Sequence, residues 1–234
     1  MREAASGVDE RVWQAGLLYE QAVLTGDAGL LAEADRELDA AEADLAVARG
    51  RLTHTRLLLR REEDPAVADE DPAELPLFER AAQLYRATGD IRGEAEALFW
   101  AGCFHQVVRH DDAAAVPLLE QSLALAAQAD DKAVMSEALR HLGIAAHRSG
   151  HLETARQRLE ESTRLRRETG NLPAAAANMI GLAYIATAQE RASDALALLD
   201  EAGAIARANQ AHRILRQVSD ARAGIPDQPA QRPA

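Results

Sequence analysis

Apolar and small residues return at helical spacing along most of this chain, and the pattern itself returns after about forty residues. Ala155, Leu159 and Ser162 stand three or four residues apart, as one face of an α-helix requires. Forty residues later the same positions hold Ala195, Leu199 and Ala202; forty earlier they hold Ala115, Leu119 and Ser122. PLFERAAQLYRATGD (76–90) matches PLLEQSLALAAQADD (117–131) at an offset of 41, and Leu38 and Ala41 precede Phe78 and Ala81 by 40. Five segments thus carry one pattern.

A second pattern alternates with the first. ALFWAGCFHQV (97–107), ALRHLGIAAHR (138–148) and ANMIGLAYIAT (177–187) bring Gly102, Gly143 and Ala183 into one column. A glycine inside a helix costs roughly 0.5–1 kcal/mol relative to alanine. Its recurrence marks a crossing where two helices approach too closely for a larger side chain.

Polar breakers separate the segments. TGD at Gly26, RHDD at Asp111 and SGH at Gly150 fit turns within hairpins; TGD at Gly89, ADD at Asp130 and TGN at Gly170 fit junctions between them. Pro173 suits a first helical turn. No stretch sustains the alternation of a strand. The expected fold is all-α, about five stacked helical hairpins in a single domain over 11–223. The stretch 45–84 is irregular: ARGRLTHTRLLLRR is out of phase with later first helices. EEDPAVADEDPAE (62–74) reads as a long solvated acidic loop, with a docking segment for a basic partner as the functional alternative. Beyond Asn209, AHRILRQVSDARAG predicts a closing helix whose Ile214, Leu215 and Val218 cap the last hairpin. Residues 1–10 and 224–234 read as disordered ends.

The columns resemble the tetratricopeptide repeat, carried in one unit by Leu139, Leu142, Gly143, Ala146, Ala155 and Leu159. The aromatic column of that family is replaced by His105, Ala146 and Ala186. The resemblance spans about 11–208. It implies a right-handed α-solenoid of the long-helix variety, about forty residues per repeat, found in bacterial regulators and stand-alone actinobacterial proteins. The preference for arginine over lysine and the alanine richness agree with a high-GC genome. The resemblance also implies that first helices line a concave groove that binds a partner. Counted from the small-residue column, that groove takes Glu96, Phe99, Cys103 and Gln106, then Glu137, Arg140, Ile144 and His147, then Ala177, Ile180, Tyr184 and Thr187. Arg140 there can grip a carboxylate in bidentate fashion, or bridge helices by pairing with Glu96.

Composition narrows the function classes. Apolar residues make up 47% of 234 and aromatics 3%, so alanine and leucine do most of the packing, which favours close helices over sheets. The 26 basic residues include one lysine, Lys132, and face 38 acids, a net charge of −12. That argues against direct nucleic-acid binding. A single cysteine, Cys103, excludes an intrachain disulfide. With no signal-like or membrane-length apolar run, a cytoplasmic protein without a membrane partner is expected.

Five of seven histidines lie between His105 and His151, near Cys103. A zinc site needs convergent ligands. Cys103 and His105 point about 200° apart on a helix, and Gly150 puts His147 and His151 across a turn, so neither a metal nor a cofactor is expected. No nucleophile elbow or phosphate loop supplies a catalytic residue. The leading reading is a non-enzymatic scaffold that captures a protein or peptide in the groove. The rival is a small-molecule sensor or an atypical biosynthetic enzyme in the same groove, with Phe99, Cys103, His105, His141 and Tyr184 as its aromatic and titratable groups. A third is a sensor fragment related to regulators that carry such arrays beside a DNA-binding domain, although no helix-turn-helix is visible. A homo-oligomer is open to all three.

Overall fold

The polar residues at the breaks do specific work at helix ends. Asp27, Asp90, Asp111 and Asp131 accept hydrogen bonds of 2.8–3.0 Å from the amides of Gly29, Gly93, Ala114 and Ala133. Each satisfies a donor that the first helical turn leaves free. The preceding helix ends in a left-handed residue, at Gly26, Gly89, His110, Asp130, Gly150, Gly170, Glu190 and Gln210. From Gly89 onward these turns fall 20 or 21 residues apart.

The computed structural model describes residues 9–64 and 70–225. Among these, the elements are α1 (Glu10–Thr25), α2 (Ala28–Glu63), α3 (Glu74–Thr88), α4 (Ile91–Cys103), α5 (Asp112–Gln128), α6 (Lys132–Arg148), α7 (Leu152–Glu168), α8 (Leu172–Ala188), α9 (Ala192–Ala208) and α10 (His212–Ala223). A π-helical turn, Phe104–Val108, continues α4. The described residues contain no strand, and the all-α hairpin architecture holds.

The chain forms two compact units that divide after Ala129. In unit 1, each of α1 to α5 packs on the next, and α2 also touches α4. In unit 2, α6, α7, α8 and α9 pack in sequence and α10 lies on both α8 and α9.

The glycine column is a line of close crossings. A Cβ on Gly102 would sit 2.8 Å from Leu119 Cγ, and one on Gly143 3.0 Å from Leu159 Cγ and 3.4 Å from the Ala155 carbonyl. These are the leucine and alanine positions that recur along the second helices. Gly50 belongs to the same column: its Cβ would lie 2.5 Å from the Phe78 ring.

That contact corrects the reading of 45–84. The C-terminal half of α2 is in phase with the later first helices, once the segment between α2 and α3 is set aside. The expected break near its middle is missing, and α2 runs 36 residues without a turn. Leu38 consequently fills no second-helix position and is 43% exposed. The acidic loop is also shorter than expected. α2 extends to Glu63, and Glu74 opens α3 fully buried. Residues 65–69 lie outside the described residues.

At the termini, Asp9 caps α1 through the Arg11 amide, so order begins before residue 10. Ile225 packs on the unit 2 core. Residues 1–8 and 226–234, read as disordered ends, lie outside the described residues. The closing helix takes the expected place: Val218 and Ala221 are buried against Ala176, Met179, Ala183 and Leu199, with Ile214 at the margin.

Candidate functional site

Asn178, fully buried on α8, organises one wall of unit 2. Its side-chain oxygen accepts from Arg140 at 2.9 Å and from Arg166 at 2.8 Å. Its side-chain nitrogen donates to the Ser162 hydroxyl at 2.8 Å, and that hydroxyl donates to the Ser136 carbonyl at 2.5 Å. Arg166 is 2% exposed and also reaches Glu137 at 2.6 Å and the Ala174 carbonyl at 2.8 Å. Burial pulls the Arg166 pKa down, and the Glu137 carboxylate opposes that shift. A buried guanidinium persists only with such partners. Glu137 is thereby committed to an internal pair.

Beside this network lies a cavity of about 350 Å³. Arg140, Ile144 and His147 line it from α6, Ala177, Ile180, Gly181 and Tyr184 from α8, and Gln217 and Asp220 from α10. Five residues expected to bind a partner, Arg140, Ile144, His147, Ile180 and Tyr184, therefore meet around one space. Its floor is apolar, through Ile144, Leu159 and Ile180, and its rim carries Arg140, His147, Asp220 and the half-exposed Tyr184 ring. The cation is held by Asn178, so it stands on a fixed helix rather than on a loop.

Unit 1 treats the corresponding positions differently. Glu96 pairs with Arg51 at 3.2 Å. Phe99, Cys103 and Gln106 are 4%, 4% and 1% exposed, so they lie in the core and not on a free groove surface. The cause is α2, whose C-terminal half reaches over α4. Trp100 stacks on Phe78 at 5.9 Å, meets Phe99 edge-on at 5.1 Å, and lies beneath the Arg51 guanidinium. Gln106, on the π-helical turn, donates to Asp112 at 2.9 Å.

α2 also builds an arrangement that no local motif announces. Glu74 Oε1 lies 2.7 Å from His54 Nδ1, and His54 Nε2 lies 3.9 Å from Cys103 Sγ. Carboxylate, imidazole and thiol in this order match the parts of an activated nucleophile. All three are less than 5% exposed, and the Trp100 ring sits edge-on to His54 at 5.7 Å. A substrate carbonyl cannot reach Sγ past that packing, and the row serves as an internal polar brace between α2, α3 and α4. His105 packs edge-on against Phe104. Among the described residues, no three His, Cys, Asp or Glu side chains are placed to hold a metal ion, and no helix is long and apolar enough to cross a membrane.

No protein-family model matches the chain, and no curated protein matches its sequence. Solved structures do show a likeness. One, from Podosopora anserina, is described as a kinesin light chain with nearly identical TPR-like repeats; it shares 19% identity, covers 78% of this chain and 99% of its own, and superposes with a TM-score of 0.49. Partner and chemistry therefore rest on this chain's own residues.

Proposed function

We propose that the protein is a non-enzymatic, TPR-like binding module, and that the unit 2 cavity takes up a peptide segment bearing a carboxylate next to an aliphatic side chain. The supporting observation is Arg140, fixed by Asn178 on the wall of a half-open apolar cavity. A guanidinium already held in place attracts a carboxylate through charge, and little rotamer freedom is lost on binding. Ile144 and Ile180 offer the aliphatic contact, and Tyr184 an amphipathic edge. A cavity this size sits near the lower end of the small-molecule range, about 300–1,000 Å³. A side chain or two of an extended peptide suits it better than a large cofactor. The sensor reading keeps the same pocket with a small carboxylate as ligand. Cys103, one of the groups the enzyme reading draws on, is buried in unit 1. A cytoplasmic location and a bacterial, long-helix repeat lineage accompany this proposal.

The test uses an immobilised peptide library with and without acidic residues. Wild-type protein should enrich peptides that place Asp, Glu or a free C-terminus beside an aliphatic residue. Arg140→Ala should weaken them at least tenfold, about 1.4 kcal/mol, with a much smaller change in thermal midpoint. Equal enrichment by Arg140→Ala would sink the proposal. Enrichment of nothing by the wild type, with small carboxylates shifting its thermal midpoint, would transfer the site to the sensor reading.

A further inference from the structure

The uninterrupted α2 carries leucine at every seventh position, Leu31, Leu38, Leu45, Leu52 and Leu59, and all five are 43–57% exposed. The stripe is about 42 Å long at 1.5 Å per residue. An apolar seven-residue repeat sustained over four intervals is the pattern of a helix that pairs with another helix along its length. At its N-terminal end α1 buries Ala34 between Leu31 and Leu38; from Leu45 onward the stripe faces away from the side of α2 that buries Ala43, Val47, Gly50, His54 and Leu57 within unit 1.

Charge along the same helix identifies the other helix. From Ala28 to Ala46, α2 holds six acids and one arginine; from Val47 to Arg61 it holds five arginines and no acid. Four residues after successive leucines stand Asp35, Glu42, Arg49 and Arg56, all exposed. Run against an antiparallel copy centred near Leu45, Asp35 meets Arg56 of the second copy and Glu42, which also holds Arg80 of its own chain, meets its Arg49, twice over by symmetry. A parallel pair would instead set Glu42 against Glu37 of the second copy, and Arg56 against its Arg51. Like charges at such flanking positions oppose pairing.

The N-terminal end of the stripe also has a seat for the second copy's C-terminal end. A groove of about 460 Å³ runs between α1 and α2, lined mainly by Val12, Gly16, Tyr19, Leu31, Ala34 and Leu38. A Cβ on Gly16 would meet nothing within 4 Å, so the groove wall is open there. Leu52 and Leu59 of an antiparallel second copy fall beside Leu38 and Leu31 at this groove. We propose that the protein forms a two-fold homodimer through antiparallel pairing of α2 along Leu31, Leu38, Leu45, Leu52 and Leu59, with each α1–α2 groove receiving the C-terminal half of the other α2. The contact is isologous, as a closed dimer requires.

Sedimentation equilibrium of the full chain should give a dimer. Leu45→Glu combined with Leu52→Glu should give a monomer with unchanged helical circular dichroism, because both side chains are half exposed in the single chain. Asp35→Cys and Arg56→Cys chains, mixed and oxidised, should yield the mixed cross-link at least tenfold over either self-cross-link. A wild-type chain that stays monomeric, with the stripe left for another protein's helix, overturns the proposal. So does a leucine double variant that still dimerises, or Asp35→Cys cross-linking to itself as readily as to Arg56→Cys.

Discussion

Phe99 and Cys103 on α4 and Gln106 on the π-helical turn stand at the same repeat positions as Arg140, Ile144 and His147 on α6. In unit 1 they are core; in unit 2 they border a cavity. The helices themselves do not explain the difference. The neighbours differ: α2 brings His54 to Cys103 and Leu57 to Phe104 and Val108, whereas from the 12-residue α10 Gln217 and Asp220 line the cavity. Charge divides the same way. Through Ala129 the chain has 25 acidic and 12 basic residues; from Asp130 it has 13 and 14. The acid surplus belongs to unit 1, and unit 2 is close to balanced.

Removing α10 should break the comparison most severely. A chain ending at Asn209 uncovers Ala176, Met179 and Leu199, and it should aggregate or lose its cooperative thermal transition. A chain ending at Ile225 should match the full chain in both solubility and melting. Equal behaviour of the two would refute capping by α10.

Next come the glycine crossings, where the units differ in degree. Gly50→Ala drives a Cβ to 2.5 Å from an aromatic ring, and it should destabilise by roughly 1–3 kcal/mol. Gly143→Ala meets the Leu159 side chain at 3.0 Å and the Ala155 carbonyl at 3.4 Å and gains helix propensity, so its effect should stay within about 1 kcal/mol. Gly143→Leu should lose roughly 1–3 kcal/mol. Denaturant midpoints decide, and equal midpoints for the two alanine variants would mean that unit 1 is not the tighter crossing. The smallest effect belongs to Cys103→Ser. A hydroxyl keeps the polar contact to His54, so stability should change by about 1 kcal/mol or less and peptide binding in unit 2 not at all. Loss of binding in that variant would tie the cavity to Cys103 after all.

Much of the fold was legible because its punctuation is local. Glycine, aspartate and asparagine mark the helix ends, and the Gly102–Gly143 column reports a crossing without coordinates. The long α2 was hidden by the same logic: Gly50, the one glycine in its second half, is a crossing residue and not a turn. Gly93 reads as a junction residue, yet its Cβ would lie 2.4 Å from the Tyr85 ring. That requirement depends on Asp44 on α2 holding the Tyr85 hydroxyl at 2.5 Å, a contact 41 residues away in sequence. For the site, counting from the small-residue column found Arg140 and Tyr184. It missed Asn178, which shares α8 with Tyr184 but faces inward, and Gln217 and Asp220, which belong to the closing helix. Glu74 and His54 were out of reach because only the packing of three helices brings them to Cys103.

Trp100, packed among Phe78, Phe99 and His54, has one companion of its kind, Trp13, and both lie before Ala129. The intrinsic tryptophan emission of this molecule is therefore a signal from its first half alone, while far-ultraviolet dichroism sums helices from both. Melting curves followed by the two signals coincide only if the halves unfold as one cooperative system. Two native chromophores thus let the coupling between the halves be read optically, without a label or a substitution.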